Sequence, residues 1–183
     1  MIFESFAQKQ LQWLPELGIG YYPSREIVYN DAYDESFVDD NVYLVNKYTK
    51  SDLLDIGIGT GAFVHARENT YGYDSDPLTV EWLVQRKLYR HPFKGANSVS
   101  FWNSLQKIQD PRLHLSGAKE YVFVSCPIFH DAEEILNSDR YLQQKDCWYW
   151  TKEGLITFVD AFGFEVIETN IENNFGTFVF KKY

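Results

Sequence analysis

Leu53-Leu54-Asp55-Ile56-Gly57-Ile58-Gly59-Thr60-Gly61 is the stretch that decides how this chain folds. Its first four residues read as a short buried strand, and three glycines then fall within five positions. From Ala62 to about Glu68 the pattern is helical. Missing side chains let a backbone approach a ligand closely, and they let a turn adopt positive φ. Tyr71-Gly72-Tyr73-Asp74 reads as a second strand, with Asp74 at its end, 19 residues after Asp55. A carboxylate there can accept hydrogen bonds from both ribose hydroxyls. The glycine run alone would suit any sharp strand-to-helix turn. Strand, glycines, helix, strand and terminal acid together predict a nucleotide-type binding element.

The same alternation continues downstream. Pro77 opens a helix carrying Leu78, Val80, Trp82, Leu83 and Val84. A weak strand is expected around Leu88–Tyr89 and a fourth over Ser98–Trp102. Tyr121-Val122-Phe123-Val124-Ser125 is the clearest strand, continuous enough to be central, and Pro127 ends it. Glu133–Leu136 belongs to a short helix. Thr151 is an N-cap before Leu155, Ile156, Phe158, Val159 and Phe162, and Gly163 suits the C′ position. Two strands close the chain, Phe164–Glu168 and Gly176–Lys181, joined by an Asn/Glu-rich connection as an antiparallel hairpin. The expected class is α/β, with a mostly parallel seven-stranded sheet between helical layers. Residues 1–50 form a preface with a helix over Ser36 to about Lys47, too short to be a domain and expected to pack on or over the main domain, 51–183.

At 183 residues, with 45% apolar and 23% charged side chains, the chain suits one globular domain. Its net charge of -9 and pI near 4.9 repel a phosphate backbone and argue against nucleic acid as substrate. Cys126 and Cys147 are too few for a disulfide framework, and the four histidines have no metal-ligand spacing, so no metal is expected. No segment is long and apolar enough to span a bilayer. Met1–Phe6 has neither a basic opening nor a sustained apolar run, so a cytoplasmic setting is expected.

With these residues in hand, the chain resembles the class I S-adenosylmethionine (SAM)-dependent methyltransferases of the small stand-alone type. Leu53–Gly61 is similar to that family's first motif, Tyr73-Asp74 to its second, and Val99–Pro111 to the stretch at and beyond its fourth strand. Trp148-Tyr149-Trp150-Thr151-Lys152-Glu153-Gly154-Leu155 resembles the start of its last large helix, and Gly163-Phe164-Glu165-Val166 the entry to its hairpin. The resemblance covers roughly residues 50–183 and implies a Rossmann-like three-layer sandwich. It implies SAM as cofactor, held by Asp55, Gly57, Ile58, Gly59, Gly61, Asp74, Ser75 and Asn103. Gly57-x-Gly59-x-x-Ala62 also fits a dinucleotide pattern. Asp55 would be unwelcome beside a pyrophosphate, but it can face the ammonium side of a sulfonium cofactor or organise the loop. With Gly61 and the hairpin, it favours SAM.

Two departures bear on catalysis. Relatives often carry Asp followed by x-x-Glu-His after the fourth strand, where this chain has Asn103-Ser104-Leu105-Gln106-Lys107. Asn103 can still hydrogen-bond the methionine ammonium or a substrate, without counter-charge. The region Leu88–Ser98 is compressed and lacks an acid that often contacts adenine. Ser125-Cys126-Pro127-Ile128-Phe129 does not match the motif of amino-directed nucleic-acid methyltransferases. The expected activity is therefore methyl transfer from SAM to an O or N atom of a small-molecule, sugar-type or protein acceptor. The alternative is a catalytically silent SAM-binding or scaffolding protein.

Methyl transfer is an in-line displacement, so the protein mainly aligns two centres and excludes water. A hydroxyl or ammonium acceptor must also lose a proton. His130 is a candidate because it follows the central strand, on the edge where α/β sheets form their crevice; Asp131 can orient it or cap the next helix. A surface histidine is the competing reading. Tyr33, with Tyr29 and Asp31, can form a lid, and Asn103 completes the catalytic candidates. Trp148, Tyr149 and Trp150 divide between pocket wall and core, with core favoured. Asn170–Asn174 can cover the pocket or form a solvated turn.

Overall fold

The computed structural model describes residues 4–5, 11–22, 37–143 and 146–183. The chain begins with three short strands, β1 (Glu4–Ser5), β2 (Gln12–Leu14) and β3 (Ile19–Tyr21), followed by helix α1 (Val38–Tyr48). The alternating core then runs β4 (Leu53–Ile56), α2 (Ala62–Ala66), β5 (Thr70–Tyr73), α3 (Pro77–Gln85), β6 (Ala96–Trp102), α4 (Arg112–Ser116) and β7 (Ala118–Pro127). After it come α5 (Ala132–Asn137), α6 (Asp139–Leu142), β8 (Trp148–Trp150), α7 (Lys152–Asp160), β9 (Phe164–Glu172) and β10 (Phe175–Lys182).

The main sheet has the order β5-β4-β6-β7-β10-β9. Strands β5, β4, β6 and β7 pair in parallel, and β10 is antiparallel to both β7 and β9, so β10 alone runs against the others. The seventh strand expected at Leu88–Tyr89 shrinks to a single parallel bridge between Gly72 and Tyr89. Gly72 N–H donates to Leu88 O, and Arg90 N–H to Gly72 O. Pro92, which has no N–H to offer a ladder, then opens a 3₁₀ turn. The hairpin is tighter than expected. β9 continues through Glu172 and β10 begins at Phe175, leaving a two-residue turn in which Asn173 and Asn174 both have positive φ, +52° and +59°. Two left-handed residues match the twist of a hairpin, and asparagine tolerates them.

Helices cover both faces, as a parallel sheet requires. On one face Val45 of α1 and Phe63 of α2 pack with Leu53, Trp102, Phe123 and Val179. On the other, Leu155 and Val159 of α7 and Leu115 of α4 pack with Leu54, Phe101, Val122, Val124, Phe178 and Phe180. In α1, Val38 and Val45 are buried while Phe37 is 57% exposed. The Thr151 hydroxyl caps α7, accepting from Gly154 N–H at 3.0 Å. Thr151→Ala is expected to destabilise the protein by about 1 kcal/mol in urea denaturation.

A second sheet, β1-β2-β3-β8, is wholly antiparallel and has no counterpart in the sequence reading. Ile19 pairs with Trp150 and Gly20 with Tyr149, so residues 11–22 are stitched to the chain just before α7. Tyr149 and Trp150 are fully buried, and Trp148 donates its indole N–H to Ile108 O at 2.9 Å. This aromatic run closes the core. Tyr29, Asp31 and Tyr33 lie outside the described residues.

Candidate functional site

The C-terminal ends of β4, β6 and β7, together with the residue after β5, border a cavity of about 1090 Å³. One ligand usually occupies roughly 300–1,000 Å³, so this volume leaves room for a nucleoside and a second molecule. After β4 the chain turns through Gly57 (φ +75°) and Gly59 (φ +55°), both lining the cavity. A Cβ on Gly57 would stand 2.7 Å from that of Ser104, whose hydroxyl donates to Ile56 O. The loop therefore lies flat against the turn after β6. Ile58 turns its side chain inward against Val64 and Leu83. Gly61 flanks α2 and donates its N–H to Ile58 O at 2.9 Å. Neither Ile58 nor Gly61 lines the cavity.

Two carboxylates stand at this loop with different roles. Asp55 is 2% exposed and does not line the cavity; its Oδ1 accepts from the Ser100 hydroxyl at 2.7 Å. Burial pushes its pKa up to about 7, the Ser100 hydrogen bond opposes the rise, and nearby Asp74 adds to it. Asp55 thus lies beneath the loop. Asp74 lines the cavity, its carboxylate accepts from the Asp76 N–H at 3.0 Å, and the backbone N–H groups of Ser75 and Ile58 add a favourable local field. Burial raises its pKa as well, against the pull of those N–H groups. Ser75 is exposed and does not line the cavity.

Asn103 lies at the end of β6 with φ +53° and lines the cavity. Its N–H donates to Ser125 O at 2.9 Å and faces the Ser125 hydroxyl at 3.2 Å. Its side-chain oxygen accepts from Gln106 Nε2 at 2.6 Å. His130 is not brought to this place. Its side chain is 91% exposed and lies outside the cavity lining. Asp131 caps α5 by accepting from Glu134 N–H at 3.0 Å, and it also stands 3.2 Å from His130 Nδ1. Gly57, Gly59, Asp74 and Asn103 therefore share the cavity, whereas Asp55, Ile58, Gly61 and Ser75 support it from behind or beside.

The outer half of the cavity comes from β7, β9, β10 and α1, of which only Asn170–Asn174 is expected from the sequence as a possible cover. Trp102, Ser125, Thr177 and Asn170 are successive cross-strand partners across β6, β7, β10 and β9, and they form a row along its floor. Glu168 and Glu172 flank Asn170 on the same face of β9, and α1 contributes Asp40 and Tyr43. Glu168 is neutralised by Lys47 at 2.6 Å and also accepts from the Tyr48 hydroxyl. Among the described residues, five acids and one lysine line the cavity. Pairing with β10 carries β9 through Asn170 and Glu172, which the sequence pattern places in the connection after Glu168. A smaller cavity of about 460 Å³ lies at the opposite ends of the strands, where Arg90 is committed to an ion pair with Asp52 and stacks on Tyr71.

No protein-family model matches the sequence, and no curated protein matches it. Solved structures do. The magnesium protoporphyrin IX methyltransferase of Synechocystis PCC 6803, with bound SAH, is 14% identical, with TM-score 0.58 over 85% of this chain and 91% of its own. A possible histamine N-methyltransferase from Thermotoga maritima is 17% identical, with TM-score 0.60 over 80% and 89%. The [4+2]-cyclase SpnF is 15% identical, with TM-score 0.61 over 86% and 87%. The chain therefore has the Rossmann-like fold that SAM-dependent methyltransferases share.

Proposed function

We propose that this protein is a SAM-dependent methyltransferase. The observation that carries the reading is the placement of Asp74, the Gly57–Gly59 turn and Asn103 at the ends of the adjacent strands β5, β4 and β6 on one cavity. The donor set suits the cofactor. Asp74 offers carboxylate oxygens to a ribose diol, and the glycine turn lets backbone approach the ligand. SAM, when bound, supplies a sulfonium methyl group to an attacking lone pair. The protein aligns the acceptor along the Ser125–Thr177–Asn170 row and withdraws water from the crevice. Residues 51–183 form the transfer domain, and of the residues before them β3 pairs with β8 and α1 packs on the main sheet.

The acceptor is an O or N atom of a compact molecule or a side chain. The carboxylates of Asp40, Asp76 and Glu172 repel a polyanionic backbone, in keeping with the chain's net charge of -9. Calorimetry with purified protein is expected to show binding of SAM and of its demethylated product. Gly59→Val is expected to reduce that binding by more than ten-fold, because a β-branched residue is strained at φ +55° and crowds the cavity. Absence of binding at millimolar SAM would overturn the proposal. Binding without label transfer to amine, hydroxyl and protein acceptors would assign the chain to the silent class instead.

A further inference from the structure

Asn103 lines the cavity, yet its side-chain carbonyl is turned away from it toward two interior donors. Gln106 Nε2 donates to Oδ1 at 2.6 Å, and Arg140 Nη2 lies 3.5 Å from the same oxygen. Gln106 by itself would not select this orientation. Its own Oε1 is buried without a partner, and if both amides rotated by half a turn Asn103 would donate to it instead. Arg140 removes that freedom. A guanidinium carries only donors, so an amide NH₂ facing it would set donor against donor. Arg140 is in turn held by Asp146 through two hydrogen bonds, Nε to Oδ2 at 2.5 Å and Nη2 to Oδ1 at 2.8 Å. Asp146 is fully buried, and such forked pairing holds the guanidinium plane in place. The Gln106 backbone is also anchored, its carbonyl accepting from Cys147 N–H at 2.9 Å.

We infer that the Arg140–Asp146 pair is a positioning device that holds the Asn103 NH₂ toward the cavity, as a donor for the carboxylate of the cofactor's amino-acid end. This rests on the SAM reading above. The strand order supplies the direction. A nucleoside whose ribose meets Asp74 after β5 crosses the glycine turn after β4 and brings its far end to Asn103 after β6. An acid at that place would take the ammonium; a held NH₂ takes the carboxylate. Asn103 is thus a donor to the cofactor, in place of the expected acceptor for its ammonium.

The test compares SAM with decarboxylated SAM, which lacks only that carboxylate, in calorimetric titrations of the full chain. Wild type is expected to prefer SAM by roughly ten-fold, the size of one hydrogen bond to a charged group. Asn103→Asp keeps an acceptor for Gln106 and Arg140 but places an anionic oxygen in the cavity, so it is expected to reverse the preference. Arg140→Met/Asp146→Asn leaves Asn103 in place, strands no buried charge, and is expected to bring the ratio close to one. Because both ligands are measured on the same preparation, the ratio is insensitive to any loss of folded protein, and a merely structural role would leave it unchanged. SAM binding with the same ratio in all three proteins would overturn this inference alone. Binding of neither nucleoside to wild type would overturn the cofactor reading and this inference with it.

Discussion

Asp74→Ala is expected to weaken SAM binding by about 10²–10⁴-fold in calorimetry. The carboxylate is the acceptor for two ribose hydroxyls, each hydrogen bond to a charged group contributes about 1.5–3 kcal/mol, and ten-fold corresponds to about 1.4 kcal/mol. The same carboxylate accepts from the Asp76 N–H, so alanine also loosens the turn after β5. Asp74→Asn separates the two effects. It retains one oxygen for the Asp76 N–H but replaces the other acceptor with a donor, and a loss of about ten-fold is expected. Because ribose is common to SAM, its demethylated product and its decarboxylated form, the loss should be uniform across all three. That uniformity distinguishes it from the carboxylate-selective effect expected at Asn103. An alanine variant that binds SAM within three-fold of wild type would refute the role of Asp74.

Asp55→Asn is expected to change how stability depends on pH. Burial raises the Asp55 pKa to about 7 from an ordinary 3.8, so between these values the native state holds a proton that the unfolded chain releases. The protonated carboxyl's contribution is fully present below about pH 4 and is lost as pH rises through 7. The loss over some three pH units is about 4 kcal/mol. Asparagine fills the same volume, can accept from the Ser100 hydroxyl and does not ionise. Urea denaturation at pH 4, 6 and 8 is expected to show wild type and variant close together at pH 4, with the variant progressively more stable above it. Carboxylates other than Asp74, which is coupled to Asp55, contribute equally to both profiles and cancel in the difference. Superimposable profiles would show that Asp55 is not the titrating group.

The strand, glycine turn and acid of residues 53–74 were legible because each is a local pattern: an apolar run, residues able to adopt positive φ, and a polar residue at a strand end. The α7 cap at Thr151 and the hairpin were legible for the same reason. Errors came where pairing decides the structure. Asn170–Asn174 looks like a polar connection, but pairing with β10 extends the strand from Glu168 through Glu172 to a two-residue Asn173-Asn174 turn. Leu88–Tyr89 has strand-forming residues, yet it forms only one bridge before Pro92 diverts the chain. The strands β2, β3 and β8 are three residues each, too short to announce themselves, and the partnership of Ile19 with Trp150 has no local signature.

At the site, sequence by itself determined which residues follow β4, β5 and β6, because chain order and strand ends follow from the pattern of apolar and glycine positions. Tertiary structure decided what those residues face. It put Asp55 under the loop and Asp74 in the cavity, although both are acids at strand ends. It left the His130 side chain in solvent and brought Glu168, Asn170 and Glu172 to the cavity instead. It also set the side-chain orientation of Asn103 through Arg140 and Asp146, which reach it only across space. The physical reason is that backbone propensity acts between chain neighbours, whereas burial, charge pairing and amide orientation depend on groups that meet only when the sheet has formed.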